Sequence, residues 1–162
     1  MYSALGVAKE IINYSIERGY SISNLKLQKI LYYVQAAFLV ERGEKCFNES
    51  IVAWEYGPVV EEVYRNYKRY GRSDITDRQE DEEMVSIDFF TMKLVRERKA
   101  YNSDDKKLVH KVVDAYSGVE NPFKLVKKTH EEEPWKETNI NCAISCDKIK
   151  NYFMNNKDRI YG

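Results

Sequence analysis

The chain has 162 residues, the length of one ordinary domain and enough to bury a hydrophobic core without metal or disulfide staples. Its 26 Lys and Arg balance 26 Asp and Glu, so it lacks the excess positive charge of a general nucleic-acid binder. No apolar run approaches transmembrane length, and three cysteines are too few and odd in number for a secreted disulfide scaffold.

Lys9, Glu10, Glu17 and Arg18 interrupt the first twenty residues, which removes the apolar core of a signal peptide. A cytoplasmic protein is expected. Thirteen tyrosines and two tryptophans are many for this length. Such residues are enriched at interfaces, although buried tyrosines account for the count equally well.

Residues Ala4–Arg18 read as a helix, with Ala4, Leu5, Ala8, Ile11, Ile12 and Ile16 at helical spacing. Ser3 is placed to cap its start and Gly19 to close its end. A second helix is expected from about Leu25 to Arg42, capped by Ser23 or Asn24. Leu27, Ile30, Leu31, Val34 and Phe38 form its main stripe, and further apolar residues extend nearly all round. Such a helix belongs at the centre of a fold.

Around residues 47–56, Ile51, Val52, Trp54 and Tyr56 favour a short strand or β-hairpin. Gly57-Pro58 then breaks the chain, and Pro58 suits the first turn of a third helix running to about Tyr70. Val60, Val63, Tyr64 and Tyr67 would face inward. Residues 73–83 are acidic with little apolar character and suggest a solvated loop. Met84–Tyr101 is ambiguous: Val85, Ile87 and Phe89 alternate as in a strand, whereas Phe90, Leu94 and Val95 suit a helix.

Ser103–Ser117 reads as a helix capped by Ser103, with Asp104 and Asp105 at the positive end of its dipole. Asn121-Pro122 opens a short helix to about Lys128, and a last helix spans Cys146–Asn155 behind Ser145. The expected fold is therefore mainly α: one compact domain over residues 1–162, a bundle of about six helices with room for a short β-hairpin.

Three segments carry the polar and aromatic residues of interest. In Leu25–Tyr33, Lys26, Gln28, Lys29 and Tyr32 form either a recognition strip or the solvated edge of an amphipathic helix, and composition favours the second. In Ala53–Val60, Trp54 and Tyr56 stand at a groove lip or plug the core, while Gly57 and Pro58 shape the backbone. In Thr129–Trp135, His130 sits among carboxylates, beside Pro134 and Trp135.

A lone His with no recognisable nucleophile–base pattern favours a structural or interaction role over catalysis. Cys142 and Cys146 lack a second ligand pair, so no metal is expected, nor any other cofactor. The basic clusters Arg65/Lys68/Arg69/Arg72 and Lys93/Arg96/Arg98/Lys99 suit contact with nucleic acid or an acidic partner, but the acidic stretch 74–83 between them can compensate both, and solvated faces are favoured.

Taken in order, LKLQKILYY at Leu25–Tyr33, AWEYGPVV at Ala53–Val60 and THEEEPW at Thr129–Trp135 resemble the Panacea domain family of antitoxins. That family includes SocA-like and phage-associated GepA-like proteins, and the middle motif is the most specific of the three. The resemblance implies an antitoxin of a two-gene system, often carried on a prophage, that neutralises a cognate toxin by direct binding. Delivery of the toxin to a Clp-type protease is the alternative it implies, ahead of a hydrolase using His130 or a nucleic-acid-binding regulator.

Some members add an N-terminal DNA-binding region. Here the motifs begin after a single helix, so DNA binding is not expected. The family residues carried over are Lys26, Gln28, Lys29, Tyr32, Trp54, Tyr56, Gly57, Pro58, His130, Pro134 and Trp135. Within Leu25–Tyr70, the polar edge Lys26, Gln28 and Lys29 with nearby tyrosines is the expected contact surface. The oligomeric state is open.

Overall fold

Two serines start the two long helices. In the computed structural model, α1 spans Ala4–Arg18 and α2 spans Asn24–Glu41. Ser3 Oγ accepts the Gly6 N–H, and Ser23 Oγ accepts the Lys26 N–H. Each cap satisfies a donor that the first helical turn leaves free. The structure describes residues 1–80, 83–98 and 101–162, with the side chains of 83–86 and 95–98 outside that description.

Every residue from Lys26 to Leu39 is buried, so α2 is the axis of the domain. Around it pack α1, β2 (Gly57–Val59), α3 (Glu61–Tyr67), α4 (Ser103–Ala115), α5 (Phe123–His130) and α7 (Cys146–Asn155), with β1 (Ile51–Trp54) paired to β2. Between α5 and α7 lie the single turn α6 (Glu133–Lys136) and β5 (Ala143–Ile144). A 3-10 turn at Lys157–Tyr161 closes back on α2. The fold is mainly α, with seven α-helices among the described residues. The seventh is α6, a turn too short for periodicity to reveal.

The hairpin lies further along the chain than the expected 47–56. β1 pairs with β2 in antiparallel register, Val52 opposite Val59 and Trp54 opposite Gly57, and β5 adds to the other side of β1. Gly57-Pro58 is thus the return strand, and Pro58 is not the first turn of a helix. Proline donates no backbone hydrogen bond, and an edge strand such as β2 tolerates that. Helix α3 starts only at Glu61.

Residues 73–80 are not wholly solvated. Ile75 is buried, and its N–H donates to Ile22 O at 2.8 Å. Asn13 and Gln79 exchange hydrogen bonds of 2.9 and 2.7 Å that pin the loop to α1. The ambiguous stretch beyond it forms a β-hairpin, β3 (Glu83–Asp88) against β4 (Lys93–Arg98). Asp88 Oδ1 accepts the Phe90 and Thr91 N–H groups at its tip, and those bonds hold the Asp88 carboxyl below its usual range.

Lys99 and Ala100, with the side chains of Arg96 and Arg98, lie outside the described residues. The cap of α4 is Asn102, one residue before the expected Ser103, and α5 runs two residues past Lys128. No helix among the described residues is long and apolar enough to cross a membrane.

Candidate functional site

Strand β2 leaves polar backbone groups on its outer edge, toward α2. An edge strand needs partners for such groups when it is buried. Gln28 and Lys29 supply them. Gln28 Oε1 accepts the Val60 N–H at 3.0 Å, and Lys29 Nζ donates to Pro58 O at 3.1 Å. Gln28 Nε2 donates to Asn24 Oδ1 at 2.9 Å, and Asn24 Nδ2 donates to Tyr64 O at 3.1 Å. A chain of amides on one side of α2 therefore ties the helix to β2 and α3.

Lys29 is fully buried, and burial pushes its pKa down to about 7. Lys26 is buried as well and reaches Val119 O at 2.8 Å; burial lowers its pKa, partly opposed by Asp74. The expected polar contact edge of Lys26, Gln28 and Lys29 is consequently absent from the surface, and so is the solvated edge that composition favoured. The residues bind the domain's own backbone. A Lys or Gln is polar only at its end, and each end here has a carbonyl or N–H to meet.

Gly57 is where all three motifs converge. Its φ is +102°, and a Cβ there would lie 2.7 Å from Thr129 Oγ1 and 2.8 Å from Lys29 Cε. Glycine is required twice, by the backbone angle and by the close approach. Thr129 Oγ1 itself donates to Val126 O at 2.9 Å.

The third motif also grips the second directly. Trp135 Nε1 donates to Trp54 O at 2.9 Å, and the His130 ring stacks on Trp135 with centroids 3.9 Å apart. His130 Nε2 is buried without a hydrogen-bond partner among the described residues. Pro134 is buried in the first turn of α6.

A second polar cluster lies behind this knot. Glu132 is fully buried and accepts from Tyr33 Oη at 3.1 Å and Arg159 Nε at 3.2 Å. Burial raises its pKa, opposed by Lys128 and Arg159. Lys128 Nζ sits 4.4 Å above the Tyr33 ring and donates to Tyr116 Oη at 2.7 Å. Tyr32 is buried beside Tyr33, with Phe153 against its ring.

On the outer side, the β1–β2 turn borders a groove of about 820 Å³. Of the family residues carried over, Trp54 and Tyr56 line it, and the buried Gln28 lies beneath its floor. Of the two positions open to Trp54 and Tyr56, the groove lip and a core plug, the structure puts them at the groove. Trp54 meets Tyr64 edge to face at 5.0 Å, and Tyr56 meets Phe123 likewise at 6.0 Å. Tyr64, expected to point inward, is half-exposed and belongs to the groove wall.

Phe123, Thr129 and Glu132 were not singled out by sequence reasoning, while Asn24 was read only as a possible cap, Tyr64 as inward-facing, and Lys68 and Arg72 as part of a basic cluster. One signal was available for part of this set. Asn24, Gln28 and Gln35 are spaced four and seven apart, which places three amides along one side of a buried helix. Gln35 does at the Cys46–Phe47 backbone what Gln28 does at Val60: its Oε1 accepts the Cys46 N–H at 2.8 Å and its Nε2 donates to Phe47 O at 2.9 Å.

The family described as antitoxin SocA-like, Panacea domain, matches residues 27–136, a span that holds most of the first motif and all of the other two. Antitoxin SocA of Caulobacter vibrioides (strain NA1000 / CB15N) is 35% identical over 83 residues, which cover 51% of this chain and 44% of that protein. The matched stretch thus spans under half of the relative's length. No solved structure matches. The chain belongs to the SocA-like Panacea domain family of antitoxins.

Proposed function

We propose that this chain neutralises a cognate toxin protein by binding it directly. The observation that carries the reading is the family match over residues 27–136, where the motif residues knit one rigid scaffold around Gly57. With Lys26, Gln28 and Lys29 engaged in the interior, binding falls to the surface that the scaffold shapes. A stable protein interface takes roughly 800 Å² from each partner, which a domain of this size can offer. The role is one of occupation rather than catalysis: the toxin's working surface is covered.

The test is co-expression with the product of the adjacent gene. That product is expected to arrest growth alone, to be harmless beside this chain, and to co-purify with it. Toxin half-life is expected to be unchanged in the rescued cells, because a covered toxin need not be degraded. A neighbour that is harmless by itself, or rescue without a complex, would overturn the proposal.

A further inference from the structure

We infer that the groove beside the β1–β2 turn receives an extended segment of the partner protein, bearing an apolar or aromatic side chain next to a carboxylate. The inference rests on the toxin-binding reading and adds the place and chemistry of the contact.

The apolar half follows from the walls. Tyr56 is 54% exposed, and Phe123 and Ile140 are each 49% exposed, all on one concavity. Scattered apolar side chains are ordinary on a surface, whereas a contiguous concave set marks a binding site. The two edge-to-face pairs, Trp54–Tyr64 and Tyr56–Phe123, leave ring faces and edges for a third ring or an aliphatic chain.

The acidic half follows from the rim. Lys68 and Arg72 line the groove at the end of α3, both exposed, and neither forms an ion pair among the described residues. Their neighbours in the same basic cluster are engaged: Arg65 pairs with Glu61 at 3.2 Å, and Arg69 lies 4.8 Å over the Tyr70 ring. Glu55, at the β turn, is the one acidic residue of the lining among the described residues. The described lining therefore carries two cations against one carboxylate, which favours an anionic group and disfavours a cationic one.

The floor is also fixed in advance. Asn24, Gln28 and the Trp135–Trp54 bond hold the strand and helices that form it, so little ordering is needed when a segment docks.

The experiment uses the full chain and the product of the adjacent gene, with binding measured by calorimetry at two salt concentrations. Tyr56→Ala with Phe123→Ala is expected to weaken binding by at least about tenfold. Lys68→Glu with Arg72→Glu is expected to do the same and to reduce the salt dependence, since rim charges act through a screened field. Thermal midpoints should stay close to that of the unaltered chain, because all four side chains are exposed.

Phe89→Ser with Phe90→Ser, at the tip of the β3–β4 hairpin, serves as the comparison. If both groove variants bind as tightly as the unaltered chain and still rescue growth, this inference falls while the antitoxin reading stands. Loss of binding in the hairpin variant alone assigns the contact to the hairpin and overturns the groove. Loss with the aromatic variant but not the charge reversal overturns the acidic half. Absence of any complex with the unaltered chain overturns both.

Discussion

The knot around Gly57 and the β3–β4 hairpin invert each other. In the first, Lys29, Gln28 and Thr129 are polar and buried. In the second, Phe89, Phe90 and Met92 are apolar and 84%, 101% and 77% exposed. The knot is tolerable because its key polar ends meet backbone or side-chain partners, and an unpaired buried group costs far more than a paired one gains. Among the described residues the hairpin packs mainly on itself, and a lone two-stranded unit is marginal without a layer to cover a face. Polarity alone therefore says little about burial here; what matters is whether the chain brings a partner within reach.

The largest effect is expected where the knot is tightest. Gly57→Ala combines a positive φ with a Cβ forced against Thr129 and Lys29. Together these should cost about 3–5 kcal/mol, read as a lower denaturant midpoint. A midpoint unchanged within error would mean that the three motifs are not held against one another as described.

Gln28→Met keeps the volume of the side chain and removes the acceptor of the Val60 N–H. Leaving that donor buried and unpaired should cost about 2 kcal/mol. A neutral outcome in chemical denaturation would show that the edge of β2 has another source of satisfaction.

Lys29 sharpens the comparison through pH. Burial lowers its folded pKa from the ordinary lysine value of 10.5 to about 7, so between those values the unfolded chain binds more protons than the folded one. Stability contributed by this group must then rise with pH across that window. Moving from about pH 7 to about pH 8 should add about 1 kcal/mol, and Lys29→Met should flatten that rise. A pH profile that is the same in both proteins would place the titration elsewhere.

The smallest effect belongs to the hairpin. Phe89→Ser with Phe90→Ser should change stability by less than about 0.5 kcal/mol, because neither ring is covered by the domain. A large loss of stability would show that the tip packs where the structure leaves it open.

Local chemistry made much of the helical frame legible. Ser3 and Ser145 cap the helices they were expected to cap, Ser23 is the cap of the two offered for α2, and Cys146–Asn155 has the expected bounds. These features depend on residues within one or two turns of each other. The hairpin at Met84–Tyr101 was ambiguous because a short apolar run fits both periods, and only pairing between its two strands selects one. Pro58 was misplaced for a related reason: Gly-Pro reads as a helix start, and only the pairing of Ala53 with Pro58 reveals a strand. Part of the groove was half legible, since Trp54 and Tyr56 were left between its lip and a plug in the core. Phe123 and Ile140 were not, because they reach it from far along the chain.

The sequence by itself determined the family, through three motifs in order, and most of the helices, through caps and apolar spacing. Only the tertiary structure decided what the motif residues do. Lys29 reaches Pro58 across 29 positions, Tyr33 reaches Glu132 across 99, and Trp135 reaches Trp54 across 81. A polar side chain carries no local sign of whether water or a distant backbone group will satisfy it. That choice is made when the chain closes, and here it placed the polar edge of α2 inside the domain and left an aromatic groove on its surface.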